Sequence, residues 1–171
     1  IARKRVHLII EALALLGGKV HWVHIGTGQL HDELETLAKE KLGSKENISY
    51  EFKGQMNNSD IIDYYANNAI DLFINVSDSE GVPVSIMEAN SFGIPAIATN
   101  TGGVAEVINE QSGFLIDVNS SANDIAKVIA HYARLSAEAK QTYRDTAYST
   151  WNELYNAQKN YTAFVDGVIN L

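Results

Sequence analysis

Residues 73–117 read FINVSDSEGVPVSIMEANSFGIPAIATNTGGVAEVINEQSGFLID, and their punctuation decides the fold. The run over 70–76 leads into this stretch and reads as a strand buried on both faces, as in a parallel sheet. A loop follows, then a helix over about 84–92 and a strand over 95–99. Gly102-Gly103 opens another helix, and 113–116 is a last short strand. Strand, crossover and strand in that rhythm predict an α/β domain with a doubly wound parallel sheet. Ligands of such a sheet bind outside the carboxyl ends of the strands, against helix N-termini.

The flanks keep the rhythm. Val6, Ile9, Ile10, Leu13 and Leu16 place an apolar stripe on a helix over 4–16, which Gly17-Gly18 is expected to end. A strand over 20–25 turns through Gly26-Thr27-Gly28 into a helix over 29–42. A strand over 48–53 is closed by Gly54, and a short helix covers 60–66. The remainder, 122–169, is predicted helical with a bend near Leu135 and Ser136; Trp151, Tyr155, Tyr161 and Phe164 are spaced for an apolar face. The pattern starts on a helix, so the strand that feeds it is expected upstream of Ile1. The whole is Rossmann-like and reads as one domain over 1–171, long enough to bury a core.

Composition removes several function classes. The 171 residues are 46% hydrophobic and 20% charged, an ordinary globular balance. Thirteen cations against 21 anions leave a net charge of −8, which repels a polyanion, so no nucleic-acid partner is expected. The absence of cysteine excludes a disulfide framework, a thiolate metal site and a cysteine nucleophile. No apolar run reaches a membrane span and no signal-like start is visible, which predicts a cytoplasmic location.

The loop over 78–88 carries two carboxylates eight residues apart, Glu80 and Glu88, around a Gly and a Pro. A helix starting near Val84 or Ser85 turns its free N–H groups toward the loop. Pro83 has no N–H, so Gly81, Val82, Val84 and Ser85 are the donors for an anion. Two readings of Glu88 stay open: Ser85-x-x-Glu88 matches a capping box, the commoner use of that spacing, and Glu88 also faces a ligand lying across the helix start. Glu80 is either a solvated loop acid beside Asp78 or a ligand contact.

From Gln55 to Ala126 there is no Lys or Arg, whereas acids recur throughout. Any phosphate held there meets amides and helix dipoles, and the full positive charge must come from Arg3-Lys4-Arg5, from Lys53 or from another domain. A basic start is unfavourable at a helix N-terminus, which favours a functional reading of that cluster. His21 and His24 fall on opposite faces of one strand and argue against a shared metal; His7, His31 and His131 have no partner at ligand spacing. Neither a P-loop nor a Gly-x-Ser-x-Gly elbow occurs.

The 73–117 stretch resembles the signature region of the family-four, group 1 retaining nucleotide-sugar glycosyltransferases, whose fold is the two-domain GT-B type. The resemblance rests on Glu80-x7-Glu88, on Glu88-Ala89 with Gly93 and Pro95, on Gly102-Gly103-x-x-Glu106 and on Gly113; the KRVHLIIEAL start, Gly26-x-Gly28 and Phe52-x-Gly54 follow in family order. It covers nearly the whole chain but only the C-terminal, donor-binding half of the family. It therefore implies that an N-terminal acceptor domain is absent from this chain and is its missing partner. Any membrane association, at the inner face, would come through that domain.

The resemblance further implies roles. Glu88 holds the ribose hydroxyls of the donor nucleotide; Glu80 contacts donor-sugar hydroxyls and faces the positive charge developing at the anomeric carbon. Gly81, Val82, Pro83, Val84 and Ser85 line sugar and diphosphate, with Thr101, Gly102 and Gly103 approaching from the next loop. Lys4 neutralises the leaving diphosphate, a catalytic contribution of the electrostatic kind. Base contacts lie near Gly54 to Asn57. The implied reaction moves a hexose from a nucleotide sugar to an acceptor hydroxyl with retention, without metal or other cofactor, and this chain alone is expected to be nearly inactive. Two alternatives share parts of the pattern: a GT-B nucleotide-sugar epimerase and a module that binds nucleotide sugar without turnover.

Overall fold

A computed structural model describes residues 2–169. Five strands alternate with helices in the expected order: α1 (Val6–Ala14), β1 (Val20–Ile25), α2 (His31–Leu42), β2 (Ile48–Gly54), α3 (Asn58–Asn67), β3 (Phe73–Asn75), α4 (Val84–Asn90), β4 (Ala96–Thr99), α5 (Val104–Val107) and β5 (Gly113–Ile116). Three helices follow, α6 (Ala122–Arg134), α7 (Ala137–Leu154) and α8 (Ala157–Ile169).

All pairings are parallel, but they form two ladders rather than one. β1 pairs with β2 from Val20↔Ile48, and β3, β4 and β5 pair in that order with Phe73 opposite Ala96 and Ala96 opposite Gly113. Among the described residues no hydrogen-bonded pairing joins β1 to β3. One core nevertheless runs beneath both: Ile9, Ile10 and Leu13 of α1 pack with Ala38, Leu42 and Ile48 on one side and with Val76, Ile97, Ile116 and Ile125 on the other. The α1 helix thus touches both α2 and α6. The strand expected upstream of Ile1 lies outside the described residues.

β4 shows why the sheet is covered on both faces. Ile97 points into the α1 and α6 core, while Ala96 and Ala98 face a second cluster with Ile86, Val104, Val107 and Ile108. β3 is shorter than the run 70–76 because its register sets Leu72 against Pro95, which has no N–H to donate to the ladder. The Ile70 carbonyl instead accepts from Arg144 Nη1 at 2.7 Å.

The helix expected over 4–16 begins only at Val6. Ala2–Lys4 form a separate 3-10 turn, and Arg5 between them is left-handed, at φ 45°. Its guanidinium holds that conformation: Nε donates to Val76 O at 2.7 Å, Nη1 to Val118 O at 2.6 Å and Nη2 to Ser77 O at 3.5 Å. At the other end the helix closes before Gly17-Gly18, and Asn47 Nδ2 satisfies the Leu16 and Gly18 carbonyls beyond it. Gly26 takes a positive φ at the turn after β1. Gly28 does not, and α2 starts at His31 and not at Gln29.

The C-terminal helices break twice. The bend at Leu135–Ser136 is present, with Ser136 capping α7 through Ala139 N–H. A second break falls at Tyr155–Asn156, where Asn156 Oδ1 accepts from the Gln158 and Lys159 amides and so starts α8. Tyr161 and Phe164 of α8 are 72% and 70% exposed, and Trp151 and Tyr155 are half-buried. Among the described residues no helix is long and apolar enough to cross a membrane.

Two stability predictions follow from the backbone. A Cβ on Gly113 would stand 2.3 Å from Ala96 O in the neighbouring strand, so Gly113→Ala is expected to cost about 1–3 kcal/mol by overpacking. The check is a lower urea midpoint with an unchanged slope. Arg5→Ala loses the guanidinium bonds and keeps a side chain in the left-handed region. Arg5→Gly loses the same bonds without the strain, and is expected to be the more stable of the two by about 1 kcal/mol in the same denaturation.

Candidate functional site

Two loops meet at the carboxyl ends of β3 and β4, backbone against backbone. Gly103 N–H donates to Gly81 O at 2.8 Å, Thr101 Oγ1 donates to Asp78 O at 3.1 Å, and Thr99 Oγ1 donates to Ser77 O. Gly102 has φ 55°, and a Cβ there would lie 1.9 Å from Glu80 O; one on Gly103 would lie 2.7 Å from Val82 Cγ2. Only glycine allows this approach, which sets Thr101, Gly102 and Gly103 beside Glu80, Gly81 and Val82.

Lys4 comes to the same place from the other end of the chain. Arg3 O accepts from Asp78 N–H at 3.0 Å, which ties the 3-10 turn to the loop after β3. Lys4 Nζ then reaches Glu80 Oε1 at 2.6 Å, and the same oxygen accepts from Asn75 Nδ2 at 2.9 Å. The Glu80 side chain is 12% exposed and that of Lys4 49%. Burial pushes the Glu80 carboxyl up, but the donors around it, Lys4 foremost, outweigh that and hold it below the ordinary glutamate value. Glu80 is therefore an ionised, oriented carboxylate and not a solvated loop acid.

The basic cluster divides its work. Arg5 is committed to backbone carbonyls, leaving Lys4 as the member that meets the site's carboxylate. The cluster stands at the carboxyl end of β3, through its contacts with Val76, Ser77, Asp78 and Glu80. Lys53 is paired with Glu51 at 2.8 Å and lies over the Tyr64 ring.

Glu88 does not cap its helix. α4 starts at Val84 with Pro83 in the cap position and no side-chain cap bond, so Ser85 lies inside the first turn. Glu88 Oε1 instead accepts from Asn58 Nδ2 at 2.5 Å, which joins the start of α3 to α4. The Gly54–Asn57 segment leads into that contact; Gly54 itself has φ 65°, and its carbonyl accepts from Gly26 N–H at 2.7 Å. Tyr65 is close by: burial, then the Glu88 charge, push its phenol up to about 12, so it is a neutral hydroxyl. Asn58, Asn75 and Tyr65 escaped the sequence reading; an Asn opening a helix or ending a strand carries no local signal of a carboxylate some distance along the chain.

At the mouth of the site Val82 and Val84 are exposed and Pro83 is buried. Val84 and Ser85 open α4, so their N–H groups precede its internal ladder and point back toward the loop. The site thus offers an ionised carboxylate, one cation, a second carboxylate near an amide and a phenol, and two strips of backbone. That set suits a ligand with hydroxyls and a phosphate anion. Among the described residues no three His, Cys, Asp or Glu gather as a metal site would need. His24 lies in an aromatic cluster with Trp22 and Phe52, and His31 pairs with Glu35. A groove of about 480 Å³ between α2 and β2 is lined by Asp32, Glu35, Lys39 and Tyr50, and neither Glu80 nor Glu88 lines it.

Comparison with known proteins bears on this arrangement. Residues 1–149 match the family described as Glycosyl transferases group 1. TuaC of Bacillus subtilis, provisionally named a teichuronic acid biosynthesis glycosyltransferase, is 30% identical over 164 residues, which is 94% of this chain and 37% of TuaC. The chain thus spans little more than a third of that relative, in its C-terminal part. Among solved structures, Anabaena HepE in complex with UDP-glucose superposes with a TM-score of 0.80 at 21% identity, over 100% of this chain and 46% of HepE. The C-terminal domain of the Francisella tularensis group 1 glycosyl transferase LpcC gives 0.73 at 22% identity, over 92% of this chain and 82% of that one. These likenesses show the GT-B type of fold. By sequence over most of its length, and by fold over nearly all of it, the chain belongs to the group 1 glycosyl transferases.

Proposed function

We propose that this chain is the donor-binding part of a retaining hexosyltransferase. It holds a nucleoside-diphosphate hexose while the glycosyl bond to the diphosphate breaks and a bond to an acceptor hydroxyl oxygen forms on the same face, the hydroxyl proton passing to the leaving diphosphate. The observation that carries the reading is the convergence of Lys4 on Glu80, 76 positions apart, where two glycine-backed loops meet. Glu88, with Asn58 beside it, takes the ribose hydroxyls. The amides of Gly81, Val82, Val84, Ser85, Thr101 and Gly102 line sugar and diphosphate; Pro83, and Gly103 whose N–H is taken up by Gly81 O, shape the turns, and the loop from Gly54 meets the base. Glu80 stabilises positive charge at the anomeric carbon, and Lys4 turns to the diphosphate as negative charge grows on it. No metal enters this scheme: Lys4 and the amides meet the phosphate charge.

Support for the ligand class comes from HepE, whose structure holds UDP-glucose, and support for the setting from relatives named for teichuronic acid and O-antigen biosynthesis. We place the reaction in polysaccharide biosynthesis on the cytoplasmic side, with an acceptor-binding domain completing the cleft.

Calorimetric titration of UDP, GDP, ADP and their hexose conjugates tests the proposal. One nucleotide class is expected to saturate, and Glu88→Ala and Lys4→Ala each to weaken it by roughly tenfold, the loss of one charged contact. Binding that neither substitution weakens would remove both residues from the site. Gly102→Ala, whose Cβ would collide with Glu80 O, is expected to abolish binding by parting the loops.

The pH dependence has a defined sign. The Glu80 carboxyl is held low, so it stays ionised as pH falls until its depressed value is passed. Lys4→Ala removes the largest of the influences that lower it and leaves only the hydrogen bonds of Ser77 and Asn75 against burial, so the carboxyl rises. The acid limb of nucleotide-sugar binding is therefore expected to move to higher pH in that variant.

A further inference from the structure

We propose that Asn75 is a positioning residue for Glu80, holding the carboxylate in place when Lys4 leaves it for the diphosphate; the inference rests on the donor-site reading above. Asn75 ends β3 and is 7% exposed. The orientation of its amide is dictated by chemistry. Ser77 N–H can only donate, and it meets Asn75 Oδ1 at 3.1 Å, so the Nδ2 end must be the one at Glu80 Oε1, 2.9 Å away. Ser77 Oγ adds a second bond to Oδ1 at 2.6 Å. Ser77 is itself fully buried, and its carbonyl accepts from Thr99 Oγ1 and Arg5 Nη2. A chain of hydrogen bonds therefore runs from β4 and the Arg5 clamp through Ser77 to Asn75, and ends on the carboxylate.

The two donors on Glu80 Oε1 differ in kind. Lys4 is a half-exposed ammonium on a flexible stem, and a diphosphate carrying more negative charge than one carboxylate competes for it. Asn75 is a buried, neutral amide fixed at its other end. It can orient Glu80 without cancelling the negative charge that a developing cation needs. Were Lys4 the sole partner, its departure would free the Glu80 side chain at the step where its position matters. Apolar residues suit a buried strand, so nothing in the packing of β3 calls for an amide here.

The test compares Asn75→Leu and the near-isosteric Asn75→Asp with the unsubstituted chain, using UDP and UDP-glucose as probes and the side-chain carboxyl ¹³C signal of Glu80 as a ligand-free readout. In Asn75→Leu, UDP is expected to bind within about twofold of the original. UDP-glucose is expected to lose roughly tenfold, the effect of one hydrogen bond to a charged group. The Glu80 carboxyl is expected to titrate at higher pH in both variants, and further so in Asn75→Asp, which sets a second acid against it. Equal weakening of UDP and UDP-glucose would assign Asn75 a merely structural part and overturn the proposal. So would an unmoved Glu80 titration. If the unsubstituted chain bound neither probe, the donor reading would fail for this nucleotide, and the Glu80 titration would still decide whether Asn75 governs the carboxylate. Should Asn75→Leu fail to fold, Asn75→Asp with its conserved shape carries the comparison.

Discussion

The clamp made by Arg5 is the constraint on which the site depends. One guanidinium gathers the carbonyls of Val76, Ser77 and Val118, so the start of α1, the end of β3 and the segment after β5 are bound at a single point. A left-handed L-residue costs roughly 1–2 kcal/mol, and hydrogen bonds from a charged donor offset a cost of that size. The left-handed turn has a geometric effect as well. It separates the 3-10 turn from α1, and Lys4 at the end of that turn reaches Glu80. Had the helix run on from Lys4, as apolar periodicity suggested, the site would have lost its cation to an ordinary first turn.

The acidic character of the middle of the chain then makes sense. No Lys or Arg lies between Gln55 and Ala126, so the loops that meet at Glu80 present amides and carboxylates. Backbone donors fixed by glycine contacts cost no reorganisation when an anion arrives. On the donor-site reading, the half-exposed Lys4 ammonium at Glu80 can move toward whichever oxygen is more negative. Neutral amides of Asn75 and Asn58, one beside each carboxylate, set direction without altering charge.

How much of this could be read from residue order differs by feature. The strand and helix rhythm was legible because it rests on local rules: apolar periodicity, glycine turns, and strands buried on both faces. Its errors were local competitions. Pro95 shortened β3, Arg5 displaced the start of α1, and Asn156 opened a second break near Tyr155. The single sheet expected from that rhythm is present as two parallel ladders over a common core, since pairing belongs to neighbours in space.

The sequence by itself determined the α/β class, the two glycine-bearing loops, and the candidate carboxylates Glu80 and Glu88, together with the family resemblance that named their roles. These are properties of short windows, where turn chemistry and spacing act within a few residues. Only the tertiary structure decided that Lys4 is the cation at Glu80, that Glu88 meets Asn58 instead of capping α4, and that Asn75 holds the Glu80 carboxylate by a fixed amide. The Lys4 and Asn58 contacts join residues 76 and 30 positions apart, and the Asn75 contact turns on how the loop after β3 folds back. Parallel crossovers bring such groups to one end of the strands, and no local pattern encodes which of several candidate side chains will arrive there.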